Sequence, residues 1–138
     1  MSGISFVSNS EIIQVLQSEK RKYFVGDVSF ASIPDDNVEM GITQYKQFES
    51  EAPHYHTRVS TYEYIVEGST KYYDVKNKKE YQFSKGDLVV IHKETVYAQK
   101  SLEGTKIIFL KHPSGNDKTP VESTSEIDLW LSAWDYSL

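Results

Sequence analysis

The chain has 138 residues, a formal net charge of −5 and no cysteine, which fits one domain with its own core and excludes disulfides, thiolate metal sites and cysteine nucleophiles. No basic stripe points to nucleic acid as a partner. No apolar run is long enough to cross a bilayer, and the first residues lack a signal-peptide pattern, so we expect a cytoplasmic protein with no membrane contact.

The first predicted element is a short helix that begins near Ser8. Ser8 and Glu11 have the spacing of a capping box. The positions behind them that follow the helical period are Ile12, Val15, Leu16 and Glu19. Lys20–Lys22 are predicted in the last turn, where cations favour the helix dipole.

Short strands separated by turns are predicted for most of the remaining chain. The first runs from Tyr23 to Ile33 with a break at Gly26, and the next, after a turn at Pro34–Asn37, from Met40 to Phe48. Six further short strands are predicted at 61–66, 70–75, 80–83, 88–91, 96–100 and 106–110. Ten tyrosines and six phenylalanines suit strands. This succession indicates an all-β sandwich or barrel.

A second helix is predicted near the end of the chain, at about 125–135. Ser125 and Asp128 form a pair like a capping box. The residues that share one helical face are Ile127, Trp130, Leu131 and Trp134. No linker or repeat interrupts the sequence, so we expect one domain over 1–138 with a barrel core at about 23–112.

A resemblance to a known family lies around two histidines. Pro53-His54-Tyr55-His56, then Gly68, then Gly86-Asp87 resemble the two motifs of the cupin superfamily. The resemblance implies a double-stranded β-helix, the cupin jelly-roll barrel, with short N- and C-terminal helices. It also implies a small-molecule ligand inside the barrel and a homodimer. Apolar groups on both faces of the 61–66 strand favour the same dimer, because the outer face needs a cover.

The match to the family's four metal ligands is partial. His54 and His56 match two of them, whereas Thr61 and Tyr97 stand where the family has a glutamate and a third histidine. Because side chains alternate along a strand, Glu63 faces the same side as Thr61 and lies roughly 6–7 Å further on. The resemblance therefore implies an incomplete site, made of His54, His56 and Glu63, for one divalent ion such as Zn, Ni, Fe or Mn.

The same alternation predicts the other residues of the pocket. Tyr97 and Gln99 share one face of their strand, and Tyr45 and Gln47 are candidates on the strand beside it. We expect Glu63, Tyr97 and His54 to be the catalytic candidates. The substrate-binding candidates are Tyr45, Gln47, Thr61 and Gln99. The segment 113–118 is a turn by composition that could also fold against the pocket.

Three functions stay open at this point. The stretches 97–100 and 113–118 resemble stand-alone bacterial cupins associated with surface-polysaccharide or sugar-nucleotide metabolism. That resemblance favours a carbohydrate-related ligand and, if the chain is an enzyme, an isomerase or epimerase. The first alternative is a metal-dependent dioxygenase or oxidoreductase that uses His54, His56 and Glu63. The second is a non-catalytic ligand-binding or regulatory cupin.

Overall fold

The computed structural model describes residues 2–138. Across these residues the chain forms eleven strands and two helices. In chain order they are α1 (Asn9–Ser18), β1 (Arg21–Gly26), β2 (Ile33–Pro34), β3 (Glu39–Gln44), β4 (Glu49–His56), β5 (Ser60–Glu67), β6 (Ser69–Asp74), β7 (Lys79–Ser84), β8 (Leu88–Ile91), β9 (Tyr97–Ser101), β10 (Lys106–His112), β11 (Lys118–Pro120) and α2 (Ser125–Ser132).

The strands form two sheets. One has six strands in the order β2-β1-β3-β10-β5-β8, and the other has five in the order β11-β4-β9-β6-β7. All pairs are antiparallel except β1 with β2, and short turns such as the single residue between β5 and β6 carry the chain from one sheet to the other. The predicted double-stranded β-helix with a short helix near each end is confirmed. Neither helix within residues 2–138 is long and apolar enough to cross a membrane.

Both helices begin at hydroxyl caps. The Ser8 hydroxyl accepts a hydrogen bond from the Glu11 amide, as the sequence predicts, but α1 ends at Ser18. Lys20–Lys22 are therefore not in its last turn, because Arg21 and Lys22 pair with β3 instead. The cap of α2 is Thr124 rather than Ser125, since the Thr124 hydroxyl accepts from the Ile127 amide. That helix ends at Ser132 and leaves residue 134 beyond it.

Several predicted strand boundaries are wrong. The segment predicted as one strand from 23 to 33 forms only β1 and the two-residue β2, with irregular chain between them. The segment predicted from 40 to 48 ends at Gln44, and the chain bends at 46–47 before β4 begins. The late strand β11 has no strand pattern in the sequence. It exists because it pairs with β4, which places β11 at the edge of the five-stranded sheet.

Apolar side chains from the inward faces of both sheets make the core. Its buried members are Tyr45, Ile65, Tyr72, Val89, Ile91, Tyr97 and Ile107, with Phe83 packed against them. Burying one such side chain contributes about 1.5–3 kcal/mol. The three tyrosines of this core, Tyr45, Tyr72 and Tyr97, bring polar hydroxyl groups between the sheets. A polar cavity is therefore possible there.

Gly68 closes the turn between β5 and β6 and is the glycine that the family resemblance singles out. Its φ is +82°, and a Cβ there would lie 2.6 Å from the Thr105 Cα atom. Any other residue would be strained twice, by backbone conformation and by contact. This turn therefore sets how β5 and β6, in different sheets, face each other.

The helix α2 packs on the outer face of the five-stranded sheet. Trp130 is fully buried there with Tyr73, Ala98 and Ile127. Lys100 on β9 is also fully buried, and its Nζ donates to the carbonyl oxygens of Trp130, Ala133 and Tyr136 at 2.7–2.8 Å. A lysine ammonium carries three donors and here meets three acceptors, one in the last turn of α2 and two in the chain just beyond it, so it fixes the end of the helix to the sheet.

We expect Lys100→Met to lower the free energy of unfolding by about 2–4 kcal/mol, because the variant keeps the aliphatic packing but removes the donor shared by the three carbonyls at the end of α2 and just beyond it. Urea unfolding followed by tryptophan fluorescence measures the effect. The matched control is Lys85→Met, at an exposed lysine in the turn before β8. Equal stability of the two variants would contradict this role for Lys100.

Candidate functional site

A cavity of about 330 Å³ lies between the two sheets. It contains seven of the eight side chains that the sequence assigns to the pocket: Tyr45, His54, His56, Thr61, Glu63, Tyr97 and Gln99. All seven are buried, with at most 9% of each residue exposed. The exception is Gln47, which is exposed and outside the cavity because β3 ends at Gln44 and the chain bends before Gln47. The roles assigned to these residues stay predictions.

Glu63 is a buried carboxyl on the cavity wall. The Tyr72 hydroxyl donates to its Oε1 at 2.5 Å, and Gln99 Nε2 donates to that hydroxyl at 3.2 Å. Burial raises the pKa of Glu63 to about 7, although the hydrogen bond from Tyr72 opposes the rise. Among the described residues no basic group lies within 4.0 Å of this carboxyl. Glu63 can therefore gain or lose a proton near neutral pH.

Tyr97 presents a neutral phenol to the cavity. Burial raises the pKa of Tyr97 well above its usual value, and the charge of Glu63 adds to the rise. Its ring packs on His54 at 4.5 Å between centroids and lies 6.0 Å from the ring of Tyr72. Tyr97 also lines a second cavity of about 340 Å³, which is bounded mainly by apolar side chains of β7 and β8. Its ring is therefore the wall between a polar and an apolar cavity.

His56 is oriented by a carboxylate from the far end of the chain. Its Nδ1 lies 2.8 Å from Asp117 Oδ1, so Nδ1–H donates and Nε2 is the free nitrogen. The other oxygen, Oδ2, accepts from the Arg58 and Val59 amides and from the Thr57 hydroxyl. Burial opposes ionisation of Asp117, but the bonds from the Arg58 amide and His56 lower the pKa of Asp117 to about 2.

His54 lies beside a second carboxylate, Glu51. The Ala52 carbonyl accepts from His54 Nδ1 at 2.9 Å, and His54 Nε2 is 3.4 Å from Glu51 Oε1. Burial lowers the pKa of His54, and the charge of Glu51 counteracts part of that effect. Lys118 Nζ is 2.7 Å from the same Glu51 oxygen. The pair can take up one proton between the histidine and the carboxylate, with Lys118 holding the carboxylate in place.

A bulge in β4 brings Glu51 into the cavity. Glu51 pairs with Gln99 and His54 pairs with Tyr97. The two residues between them in β4 therefore lie opposite a single residue of β9. The extra residue turns Glu51 to the face that His54 already occupies. Strict alternation from His54 and His56 assigns Glu51 to the other face, which is why the sequence analysis does not find it. The bulge falls at Ala52-Pro53, and proline is typical of such positions.

The predicted metal set is not assembled. Among residues 2–138 no group of three or more histidine, aspartate or glutamate side chains is placed to hold a metal ion. Glu63 is hydrogen-bonded by Tyr72, and Glu51 is held by Lys118. Threonine and a neutral phenol at 61 and 97 are poor substitutes for a carboxylate and an imidazole. The two histidines alone do not fit a resident metal.

Sequence reasoning also assigns no individual role to five other polar residues near or on the cavity wall. They are Arg21, Tyr72, Lys111, Asp117 and Lys118. Arg21 is assigned to a helix in the sequence although it begins β1, and Lys111 lies just past the predicted end of its strand. The segment 113–118 is predicted as a turn that could fold against the pocket, and Gly115, Asn116 and Lys118 do line the cavity.

Solved structures with this fold are similar to the chain, although no family model and no curated protein matches its sequence. KdgF from Halomonas sp. is 21% identical with a TM-score of 0.56, over 70% of this chain and 80% of that one. Pac13, a nucleoside dehydratase, is 16% identical with a TM-score of 0.59, over 79% and 91%. An RmlC-like cupin from Shewanella frigidimarina is 18% identical with a TM-score of 0.53, over 60% and 72%. These likenesses establish the cupin fold.

We expect Asp117→Asn to destabilise the protein by about 2 kcal/mol at pH 7, since one pKa unit is worth about 1.4 kcal/mol. The folded-state pKa of Asp117 lies below its ordinary value, so its contribution is present above about pH 4 and is lost as the pH falls toward 2. Chemical unfolding from pH 7 to pH 3 measures this. Asp36→Asn, at an exposed aspartate, is the control. A pH-independent difference between Asp117→Asn and the wild type would contradict the assignment.

Proposed function

We propose that the chain binds a carbohydrate-like molecule in the cavity between its sheets and rearranges it by acid–base catalysis, as an isomerase or epimerase does. The observation that carries the proposal is Glu63, a buried cavity carboxyl whose pKa of about 7 results from burial. General acid–base catalysis is most efficient when the pKa of the group is near the working pH. The similarity to Pac13, which acts on a nucleoside, supports chemistry on a sugar-containing ligand.

The lining of the cavity suits a sugar. Tyr45 and Tyr97 offer ring faces, and the amide of Gln99 and the hydroxyl of Thr61 offer donors and acceptors for ligand hydroxyls. A cavity of about 330 Å³ has the size of a site for one small molecule. Polar groups on several strands therefore surround the ligand while aromatic rings exclude water from part of it.

In the proposed step, the Glu63 carboxylate removes a proton from the carbon next to the carbonyl of an open-chain sugar. The electron pair of the broken C–H bond forms a C=C bond, and the carbonyl oxygen becomes an enediolate oxyanion. The Tyr97 phenol donates a hydrogen bond to that oxygen. For the isomer, the Glu63 proton returns to the former carbonyl carbon, while Tyr97 gives its proton to the oxyanion and takes the proton of the neighbouring hydroxyl, which becomes the new carbonyl. For the epimer, Glu63 keeps its proton and a second group delivers a proton to the original carbon from the opposite face. The His54–Glu51 pair supplies a second group that can hold a proton.

The metal-dependent oxygenase is less well supported, because the structure does not bring three ligands together among the described residues. A non-catalytic binding cupin uses the same cavity and differs only in the absence of turnover. The cytoplasmic location and the absence of a nucleic-acid partner stay predictions from the sequence.

The test is exchange of carbon-bound hydrogen for deuterium in D₂O, followed by proton NMR over a panel of aldoses, ketoses, uronic acids and hexose phosphates. We expect the wild type to exchange the hydrogen beside the carbonyl of at least one sugar, at a rate that rises as the pH passes about 7. Glu63→Gln should lower the rate roughly 10²- to 10⁴-fold. Glu67→Gln, at the exposed end of the same strand, should not.

Two results would count against the proposed function. Equal exchange by Glu63→Gln and the wild type would remove Glu63 from the chemistry. Binding of a sugar by the wild type without any exchange would leave a non-catalytic binding module in place of an enzyme.

We also propose that the chain forms a homodimer through the outer face of β5 and β8. Tyr62, Tyr64, Leu88 and Val90 are 41%, 46%, 61% and 37% exposed there. Tyr62 pairs with Val90 and Tyr64 with Leu88, so the four side chains form one continuous apolar patch. The patch reaches β8, the edge strand of its sheet. A second copy of the same patch would cover both the apolar side chains and the free edge.

Light scattering coupled to size exclusion should give a dimer mass for the wild type at micromolar concentration. Leu88→Glu should give a monomer, because it places a charge at the most exposed residue of the patch. Leu129→Glu, at an equally apolar exposed residue on α2, should stay dimeric. A monomeric wild type would disprove the proposed dimer.

A further inference from the structure

Arg21 differs from the other cations of the cavity because no carboxylate holds it. Lys118 lies 2.7 Å from Glu51, and Lys111 lies 3.6 Å from Glu39. No carboxylate oxygen of residues 2–138 lies within 4.0 Å of the Arg21 guanidinium. A cation that lines a cavity between protein walls is costly without an anion. The geometry therefore leaves the Arg21 guanidinium without a contacting anion among these residues, because Glu51 and Glu63 act on it only from beyond that distance.

The guanidinium is fixed in position by neutral neighbours. Its Nε donates to the Thr43 hydroxyl at 2.8 Å, and its Cζ atom lies 5.7 Å from the centre of the Phe109 ring. The Tyr23 phenol is its other neighbour along β1. Thr43 occupies Nε and the Tyr23 phenol takes at most one further donor, so at least three of the five guanidinium N–H groups remain for a ligand. An arginine held in this way loses little side-chain entropy when it binds.

Gly41 makes room for the ring on which the guanidinium lies. A Cβ at this position would be 2.7 Å from Phe109 Cζ and 2.4 Å from the Lys22 carbonyl oxygen. Only glycine permits this packing of β3 against the ring. The strands thus shape a specific support beneath Arg21.

Arg21 and Glu63 both line the cavity between the sheets. Phe109 pairs directly with Glu63 across β10 and β5, so the ring beneath the guanidinium is also the neighbour of the carboxyl. Burial raises the pKa of Glu63 and of Tyr45, and the Arg21 charge counteracts part of both rises. One small ligand can therefore reach both groups.

We propose that the ligand of this cavity is an anionic sugar whose carboxylate or phosphate binds the Nη atoms of Arg21 while its reacting carbon faces Glu63. This inference rests on the proposed function and names the substrate class of the same cavity. Arginine matches both oxyanions because its planar fork donates two parallel hydrogen bonds to either. The carbon skeleton then extends from Arg21 across Phe109 toward Glu63.

Calorimetry with three probes, glucose, glucuronate and glucose 6-phosphate, tests the proposal. The wild type should bind one of the two anionic sugars roughly 10- to 100-fold more tightly than glucose, as expected for a charge-assisted bidentate contact. Arg21→Gln should abolish that preference, because its affinity for the anionic sugar should fall roughly 10- to 100-fold more than its affinity for glucose. The tighter of the two anionic probes identifies the oxyanion as a carboxylate or a phosphate.

Lys111→Gln is the matched control, because it removes one positive charge from the same cavity but from a cation that is already paired. It should lower the affinity for the anionic sugar far less than Arg21→Gln. Arg21→Lys, which keeps the charge and loses the fork, should recover only part of the preference. Thermal unfolding of each variant confirms that the fold is retained.

Different failures separate this inference from the proposed function. Equal affinity for glucose and for both anionic sugars, or equal losses in Arg21→Gln and Lys111→Gln, would overturn the role of Arg21 and leave a sugar site intact. Absence of binding for all three probes at millimolar concentration would overturn both.

Discussion

The cavity depends on one carboxylate, that of Asp117. Its two oxygens accept four hydrogen bonds, from the ring of His56, from the Thr57 hydroxyl and from the amides of Arg58 and Val59. These bonds fix the segment 113–118 against the end of β4, and that position allows β11 to pair with β4. Without them the cavity would lose the wall that this segment provides, and His56 would lose the acceptor that selects its free nitrogen.

The other charges in the cavity divide into neutralised and unneutralised groups. Glu51 and Lys118 neutralise each other, and so do Glu39 and Lys111. Among the described residues no cation lies within 4.0 Å of Glu63, so burial raises the pKa of Glu63, whereas an arginine cannot respond to burial by losing its proton. Among the same residues, the cavity thus contains one acid without a contacting cation, Glu63, which can become neutral, and one base without a contacting anion, Arg21, which cannot.

The alternation of side chains along a strand explains which cavity residues can be predicted from the sequence and which cannot. It brings Thr61 and Glu63 to one face correctly, because β5 alternates regularly from Thr61 to Ile65 and its bulge lies beyond them. It fails for Glu51, because one extra residue in β4 reverses the alternation. It also fails for Gln47, since nothing in the local pattern shows that β3 stops before the bend. The contact between His56 and Asp117 joins residues 61 positions apart, and no local pattern encodes such a contact.

The position of β10 has a consequence for how the chain reaches its native state. This strand lies between β3 and β5, although it follows both by a long stretch of sequence. Until it inserts, β3 and β5 each have an unpaired edge, and the six-stranded sheet exists only as two separate parts. Closing such long loops costs entropy before any pairing is gained, so assembly of this sheet is slow. In that interval the open edges can pair with other copies, and refolding therefore competes with aggregation as concentration rises.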